Sequence, residues 1–299
     1  MPEDINLLKK RFRKLSEPVD QKPTGTKPVL KKMNGIRYVI FDFYGTLFIS
    51  GVGDIGIDEE SRNESEFRDA LKAAGYETSA EAATEGFDIY EQTVNKHKQS
   101  WITKGYEEPE PAIEDVWLDV LNELHLRKQI RKKPEMGDAR LFSVEFEARM
   151  NPVWPMPNLL PMLKQLQAGG LEIGIISNSQ FYTPIAFEAL TDKELHHLGF
   201  NPGLLHWSYE EHLKKPSVEF YSRFMEKLKR QFPDASPEQV LYIGNDMLKD
   251  VYPAAKLGMK TALFAGDQRS LKWRREDPRC KKLQPDLVVT DLLQIVDCI

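Results

Sequence analysis

No stretch of this sequence approaches the roughly 18 consecutive apolar residues that a membrane-spanning helix needs, so a helical membrane span is excluded. Cysteine is nearly absent. The two residues, Cys280 and Cys298, have no metal-ligand spacing, which excludes a disulfide framework and makes a reducing, cytoplasmic setting the expectation. The polar, basic first residues are followed by no hydrophobic stretch, so no secretory signal is expected, and the Asn63-Glu-Ser65 sequon is idle. Histidine is sparse, and His196, His197, His206 and His212 show no metal-binding spacing. No internal repeat occurs at solenoid periods.

What is present is an ordinary globular balance, 41% hydrophobic and 29% charged over 299 residues, enough for about two domains. The net charge of -5 is unevenly spread: residues 1–34 carry +5, residues 55–149 carry -9, and the remainder carries -1. Residues 1–34 read as a basic tail and linker, rich in Pro and Lys from Pro18 to Lys32. Within them, Ile5, Leu8, Phe12 and Leu15 have helical spacing. They predict a short basic amphipathic helix, which lies on its own protein or frays rather than touching an anionic surface.

The first strong strand signal is Arg37-Tyr-Val-Ile-Phe-Asp42. Short apolar runs recur at 171–176, 204–207, 240–243, 261–264 and 287–290, separated by helical patterns such as 159–167 and 217–230. Buried runs alternating with helices predict an α/β fold, a Rossmann-like parallel sheet with helices on both faces. Residues 55–149 break this rhythm. Ile113, Val116, Trp117, Val120, Leu121 and Leu124 mark an amphipathic helix, Phe67 with Leu71 a second, and Phe87 with Tyr90 and Val94 a third. The expected organisation is a core of residues 35–54 and 150–299, interrupted by an inserted α-helical cap at 55–149.

Ligands of open α/β sheets bind beyond the carboxyl ends of the strands. Four segments stand there or just before a helix: Asp42-Phe-Tyr-Gly-Thr-Leu47, Ser177-Asn-Ser-Gln180, Lys214-Lys-Pro216 and Gly244-Asn-Asp-Met-Leu-Lys-Asp250. Singly, each is an ordinary turn, cap or solvated charge. Together they assemble a site. Asp42 offers a carboxylate nucleophile, Ser177 a hydroxyl donor for an anionic oxygen, and Lys215 a positive charge. Asp246 and Asp250 offer hard oxygens suited to Mg²⁺, which would offset repulsion between a carboxylate and a phosphate. Gly45 permits a tight turn close to substrate.

With these four segments in this order, the sequence resembles the haloacid dehalogenase-like (HAD) hydrolase superfamily over about residues 36–291. The helical insertion falls at the position of that family's C1-type cap. The resemblance implies that Asp42 forms an aspartyl intermediate, that Ser177 and Lys215 serve the second and third motifs, and that the acidic run 245–250 serves the fourth. It also implies a metal held by Asp42, the Tyr44 main-chain carbonyl and Asp246, with Asp250 direct or behind it. Gly45, Thr46, Asn178 and Gln180, with Phe181 and Tyr182 nearby, are the expected substrate contacts. Two departures stand out. Family phosphatases read Asp-x-Asp-Gly-Thr, but Tyr44 replaces the second aspartate, which protonates the leaving group; a phenol with a pKa near 10 is a poor substitute. The Gly-Asp of the fourth motif is Gly244-Asn245.

The resulting expectation is a Mg²⁺-dependent phosphohydrolase acting on a small phosphate ester. Two alternatives stay open: a 2-haloacid dehalogenase-like hydrolase, which the tyrosine favours, and a non-catalytic HAD-fold binding protein. The stretch 48–61 holds none of the basic residues with which dehalogenases grip a carboxylate, and Arg62 is the first. The acidic balance of 55–149 argues against a highly anionic substrate. Gly51-Val-Gly-Asp-Ile-Gly56 matches a dinucleotide fingerprint but does not join a strand directly to a helix, and reads as a hinge. Seven basic residues between Arg269 and Lys282 read as a solvated connection rather than a nucleic-acid surface.

Overall fold

The computed structural model describes residues 2–52 and 62–299, so most of the Gly51–Gly56 motif and the first residues of the acidic zone lie outside the described residues. After helix α1 (Pro2–Leu15) the chain enters strand β1 (Tyr38–Phe41) and a short β2 (Phe48–Ser50). Four helices follow: α2 (Glu64–Ala73), α3 (Ala82–Ile102), α4 (Ile113–Leu126) and α5 (Met136–Met150). The return runs through β3 (Val153–Pro155), α6 (Leu159–Ala168), β4 (Glu172–Ser177), α7 (Tyr182–Thr191), β5 (Phe200–Trp207), α8 (Ser208–Glu211) and α9 (Val218–Gln231). It ends with β6 (Val240–Gly244), α10 (Tyr252–Lys256), β7 (Lys260–Phe264), β8 (Leu287–Val289) and α11 (Leu293–Cys298).

Six strands form one parallel sheet in the order β5-β4-β1-β6-β7-β8, the expected α/β architecture. Alternate residues along each strand feed opposite faces. Val39, Phe41, Ile173, Ile175, Leu241 and Ile243 pack under α6, α7 and α11. Tyr38, Ile40, Ile176, Val240 and Tyr242 pack under α9 and α10. The third cluster belongs to the helices α2–α5, where Phe67 lies 5.0–5.8 Å, centroid to centroid, from the rings of Phe87, Trp117, Phe142 and Phe146.

Helix α5 gave no signal in the sequence because both its sides are buried. Phe142 and Phe146 enter the helical cluster, while Val144 and Ala148 enter the sheet core, so no single apolar stripe appears. The antiparallel pair β2–β3, with Ser50 opposite Val153, was also unanticipated. Its three-residue strands are too short to show a period, yet they bring the outgoing and returning chain together where the helices begin. No helix among the described residues is long and apolar enough to cross a membrane.

The segment read as a tail and linker packs on the core, with its helix lying on its own protein, one of the two outcomes expected for it. Leu8 and Phe12 are buried, Lys9 pairs with Glu188 of α7, and Arg11 with Glu145 of α5. Further on, the Lys22 backbone N–H donates to Asp267 Oδ2 at 2.9 Å. Val29 then exchanges two backbone hydrogen bonds with Val288, of 2.8 and 3.0 Å, which covers the open edge of β8.

Candidate active site

Strands β4, β1 and β6 are neighbours and parallel, so their carboxyl ends deliver Ser177, Asp42 and Asn245 to one side of the sheet. The ladder continues one step past β1, with the Asp42 N–H donating to Ile243 O at 2.8 Å, which fixes the start of the loop. The chain then turns at Gly45. Its φ of +79° suits glycine, and a Cβ there would stand 2.5 Å from Ser270 Cβ. A Cβ on Gly244 would meet Asp250 Cγ at 2.3 Å, so this glycine lets the loop after β6 fold back on the strand.

Asp42, Ser177, Lys215 and Asp250 form one buried network. Lys215 Nζ lies 2.6 Å from Asp42 Oδ1 and 2.6 Å from Asp250 Oδ1. Ser177 Oγ lies 2.9 Å from Asp42 Oδ1 and 3.1 Å from Asn178 O, so its proton has two acceptors. Asp250 Oδ2 accepts the Asp246 N–H at 2.9 Å. The Tyr242 hydroxyl, on a strand read only as core, stands 2.9 Å from Ile176 O, 3.1 Å from Asp250 Oδ1 and 3.4 Å from Lys215 Nζ.

Burial pushes the Asp42 carboxyl up to about 6; Lys215 pulls it back and the Asp250 charge adds to the rise. Burial works against the Lys215 ammonium too, but Asp250 and then Asp42 outweigh it and hold it above the ordinary lysine range. The Tyr44 phenol is pushed far above its ordinary value, by burial first and then by Glu147. Its hydroxyl lies 2.9 Å from Thr183 Oγ1, so this side chain stays neutral at any working pH.

Several expected contacts have other partners. Asn178 holds the Lys215 backbone at both ends, accepting its N–H at 2.8 Å and donating to its carbonyl at 3.3 Å. Gln180 accepts from Ile113 N at 2.9 Å and donates to Pro111 O at 3.1 Å, so it fastens the segment before α4. The buried Thr46 hydroxyl donates to Asn245 Oδ1 at 3.2 Å, and Asn245 Nδ2 donates to Ser270 O at 2.7 Å. These side chains shape loops. Asn178 and Gln180 also line the cavity described below, whereas Thr46 and Asn245 do not.

The donors available to a cation are hard oxygens. Asp42 is one, and Asp246 another. Asp250 has one oxygen on Lys215 and the other on the Asp246 N–H, so it already braces both neighbours. Asp246 caps the turn after β6 through Leu248 N at 2.8 Å, and both its oxygens receive Arg274, with Nη2 at 2.6 Å and Nε at 3.0 Å from Oδ2. The donor set fits Mg²⁺ in charge and hardness, provided that Arg274 withdraws. Its side chain is 35% exposed, against 5% for Asp246, so withdrawal leads towards solvent. Arg274 belongs to the basic run read as a solvated connection, and nothing in its spacing marks it out. Among the described residues, Glu194, His196 and His197 also bring ligand atoms within 4.8 Å of one another, all exposed on one turn.

A cavity of about 750 Å³ reaches Lys215, Asn178 and Gln180 from one side and residues of α3, α4 and α5 from the other. Its apolar wall includes Tyr90, Val94, Trp117 and Phe146. Glu147 lines it as well, its carboxyl raised by burial despite contacts with Asn151 and Tyr182. So do Lys98, Lys214 and Lys249, beside Glu91, Glu108 and Glu110; of the charged residues that 55–149 gives this wall, four are acidic and one is basic. Lys214 and Lys249 sit inside the recognised motifs; Lys98, mid-helix in α3, carries no signal.

A family model described as haloacid dehalogenase-like hydrolase matches residues 36–258. A glyceraldehyde 3-phosphate phosphatase of Methanopyrus kandleri is 25% identical over 268 residues, covering 88% of this chain and 97% of that protein. A protein of the same name from Methanocaldococcus jannaschii is 28% identical over 150 residues, 48% of this chain; the match spans 56% of that relative's length. Among solved structures, a 2-haloacid dehalogenase from Pseudomonas syringae pv. Tomato DC3000 superposes with a TM-score of 0.55 at 17% identity, covering 88% of this chain and 97% of that one, a likeness of fold.

Proposed function

The chain belongs to the haloacid dehalogenase-like hydrolases, and within that family we propose that it is a Mg²⁺-dependent phosphohydrolase acting through Asp42 on a small phosphate ester. In this reading residues 35–54 and 150–299 form the catalytic core, and residues 55–149 form the cap that closes the cavity. The observation that carries it is the Asp42 carboxylate, whose Oδ1 is held by Lys215 Nζ at 2.6 Å and Ser177 Oγ at 2.9 Å. Two fixed donors orient the group, and a pKa near 6 leaves it mostly ionised at neutral pH.

Asp42 attacks phosphorus, the ester P–O bond breaks, and the alcohol oxygen leaves with a proton. Water then cleaves the aspartyl phosphate, returning the carboxylate and releasing phosphate. Ser177 and Lys215 neutralise oxyanions at both stages, and Lys215 keeps its charge because two carboxylates flank it. Mg²⁺, held by Asp42, Asp246 and the Tyr44 carbonyl, would supply charge to offset the repulsion between carboxylate and phosphate. Tyr44 cannot be the general base, since its phenol is held neutral. Glu147, buried against the cavity with a raised carboxyl, is the proton source this reading assigns to the leaving oxygen.

Tyr44 favours one other reading, dehalogenation of 2-haloacids, because a departing halide needs no proton. Against it, Arg62, the first basic residue after Asp42, is engaged with Asp88 at 3.1 Å and with Glu91. A panel of phosphate esters and 2-haloacids, assayed with and without Mg²⁺, tests the proposal. Mg²⁺-dependent phosphate release that Asp42→Asn abolishes supports it. Metal-independent dehalogenation without phosphatase activity overturns it. Ligand binding that survives Asp42→Asn with no hydrolysis of either class also overturns it, in favour of a binding protein.

A further inference from the structure

The link between α3 and α4 leaves the layer of helices α2–α5 and clasps the loop that carries Lys215. The Glu110 N–H donates to His212 O at 3.1 Å and the Lys214 N–H donates to Glu108 O at 2.9 Å, an antiparallel bridge with Pro109 opposite Leu213. Packing braces it on both sides. Leu213 is buried in the cluster under α9 and α10, and Tyr106 of the link packs against the same cluster. The Trp101 ring, in the last turn of α3, stacks on the His212 ring with centroids 4.1 Å apart and planes 18° apart, and it meets Tyr106 edge-on at 4.9 Å. His212 has a φ of +52°, a left-handed conformation that a residue with a Cβ adopts only at a cost. The chain therefore reverses at His212 against its backbone preference, and the stack on Trp101 holds it there.

Lys215 is the residue after this bridge. Its N–H donates to Asn178 Oδ1 at 2.8 Å, and its buried ammonium stands 2.6 Å from both Asp42 Oδ1 and Asp250 Oδ1. The backbone of the lysine is thus held by Asn178 on one side and by the bridged Lys214 on the other. An ammonium aimed at two carboxylates tolerates little drift, because charge-assisted hydrogen bonds are short and weaken steeply with poor geometry. We propose that Trp101, Tyr106 and His212 are positioning residues for Lys215, and that the α3–α4 link is a clamp through which the helical layer sets the lysine against Asp42. They act through the backbone of residues 212–215 and not on the reacting atoms. The inference rests on the phosphohydrolase reading only for the anion that the lysine meets.

Two variants release the clamp independently: Trp101→Ala, and His212→Gly, which removes the ring while relieving the left-handed backbone. Hydrogen exchange of the whole protein without ligand, read residue by residue, compares two amides: Lys214, bonded to the link, and Lys215, bonded to Asn178 instead. Both variants are expected to speed exchange at both amides about tenfold or more, and Trp101→Phe to restore slow exchange. Inorganic phosphate, titrated calorimetrically with Mg²⁺ present, is expected to bind both variants about fivefold or more weakly, and Trp101→Ala to add no further loss in a Lys215→Met background. Thermal midpoints verify that each variant folds. Faster exchange confined to Lys214 overturns the proposal, because Trp101 would then only pack the link. A phosphate affinity that falls equally with and without Lys215 overturns it as well. If exchange at Lys215 responds but the wild type binds no phosphate, the clamp stands and the phosphohydrolase reading falls. If the wild type binds phosphate and hydrolyses esters while exchange at Lys215 is unmoved, the reverse holds.

Discussion

Asp42→Asn is expected to make the protein more stable while removing its activity, and the stability gap is expected to depend on pH. In the fold, burial raises the Asp42 carboxyl from 3.8 to about 6 even with Lys215 and Ser177 bound to it. Each pH unit of that difference is worth about 1.4 kcal/mol, so the ionised carboxylate costs the folded protein about 3 kcal/mol at neutral pH. A group raised in this way contributes its stability in full below the unfolded value of 3.8, and the contribution is lost as pH rises through 6. Asparagine has nearly the same shape and can still accept from Ser177, but it never ionises. The wild type should therefore lose about 1–2 kcal/mol relative to Asp42→Asn between pH 5 and pH 8, from the same linkage relation. Urea unfolding of both proteins across that range, in EDTA so that no cation stabilises the carboxylate, measures the gap. A gap that stays constant or narrows with rising pH refutes the argument, because it would mean that Lys215 fully compensates the burial of Asp42.

Arg274→Gln removes a two-point contact from a buried Asp246, and Mg²⁺ affinity is expected to rise about 5- to 30-fold, the equivalent of a 1–2 kcal/mol charge-assisted pair; the Mg²⁺ dependence of the thermal midpoint reads this, and an unchanged or weaker affinity would show that the two cations do not compete. Gly45→Ala forces a Cβ to within 2.5 Å of Ser270 at a φ of +79°, and should cost about 2 kcal/mol or more by urea unfolding, along with much of kcat; a variant as stable as the wild type would mean that the loop has room that the packing denies. Glu147→Gln should slow alkyl phosphates at least about tenfold more than p-nitrophenyl phosphate, whose leaving group needs no proton. Equal loss on both would assign Glu147 to packing instead.

The sheet and the strand ends of the candidate site were legible because each is written locally. A buried parallel strand is a continuous apolar run, and a residue at its carboxyl end must face the ligand side, so Asp42, Ser177 and Asp246 could be placed from the order of the segments. Lys215 was legible only as one member of the set of four segments, since no local rule carries a lysine before a proline into a buried pair of carboxylates. Helix α5 and the β2–β3 pair were hidden for opposite reasons: one has two buried faces and so no period, and the other is too short to have one. The partners of Asn178, Gln180 and Thr46 were not legible at all, because a short polar side chain near a site is equally able to bind substrate or to tie a loop, and only geometry chooses between these.

Charge was the signal most easily misread, and the reason is physical. Net charge over a segment averages across every face, while a cavity is affected by the few groups within several ångströms, where screening by water is weakest. Residues 55–149 carry nine more acidic than basic side chains, and the zone's share of the cavity wall keeps that sign, with Glu91, Glu108, Glu110 and Glu147 against Lys98. The basic run 269–282 is where net charge misleads, since Arg269 closes on Asp267 and Arg279 on Asp277, and Arg274 alone of the three reaches the acidic site. At the strand ends the carboxylates Asp42, Asp246 and Asp250 face two protein cations, Lys215 and Arg274, which leaves one unit of negative charge for an incoming metal. On the cavity wall Glu91, Glu108, Glu110 and Glu147 stand with Lys98, Lys214 and Lys249, so the positive charge there is already met by carboxylates and the uneven charge lies at the strand ends, where a divalent cation would offset it.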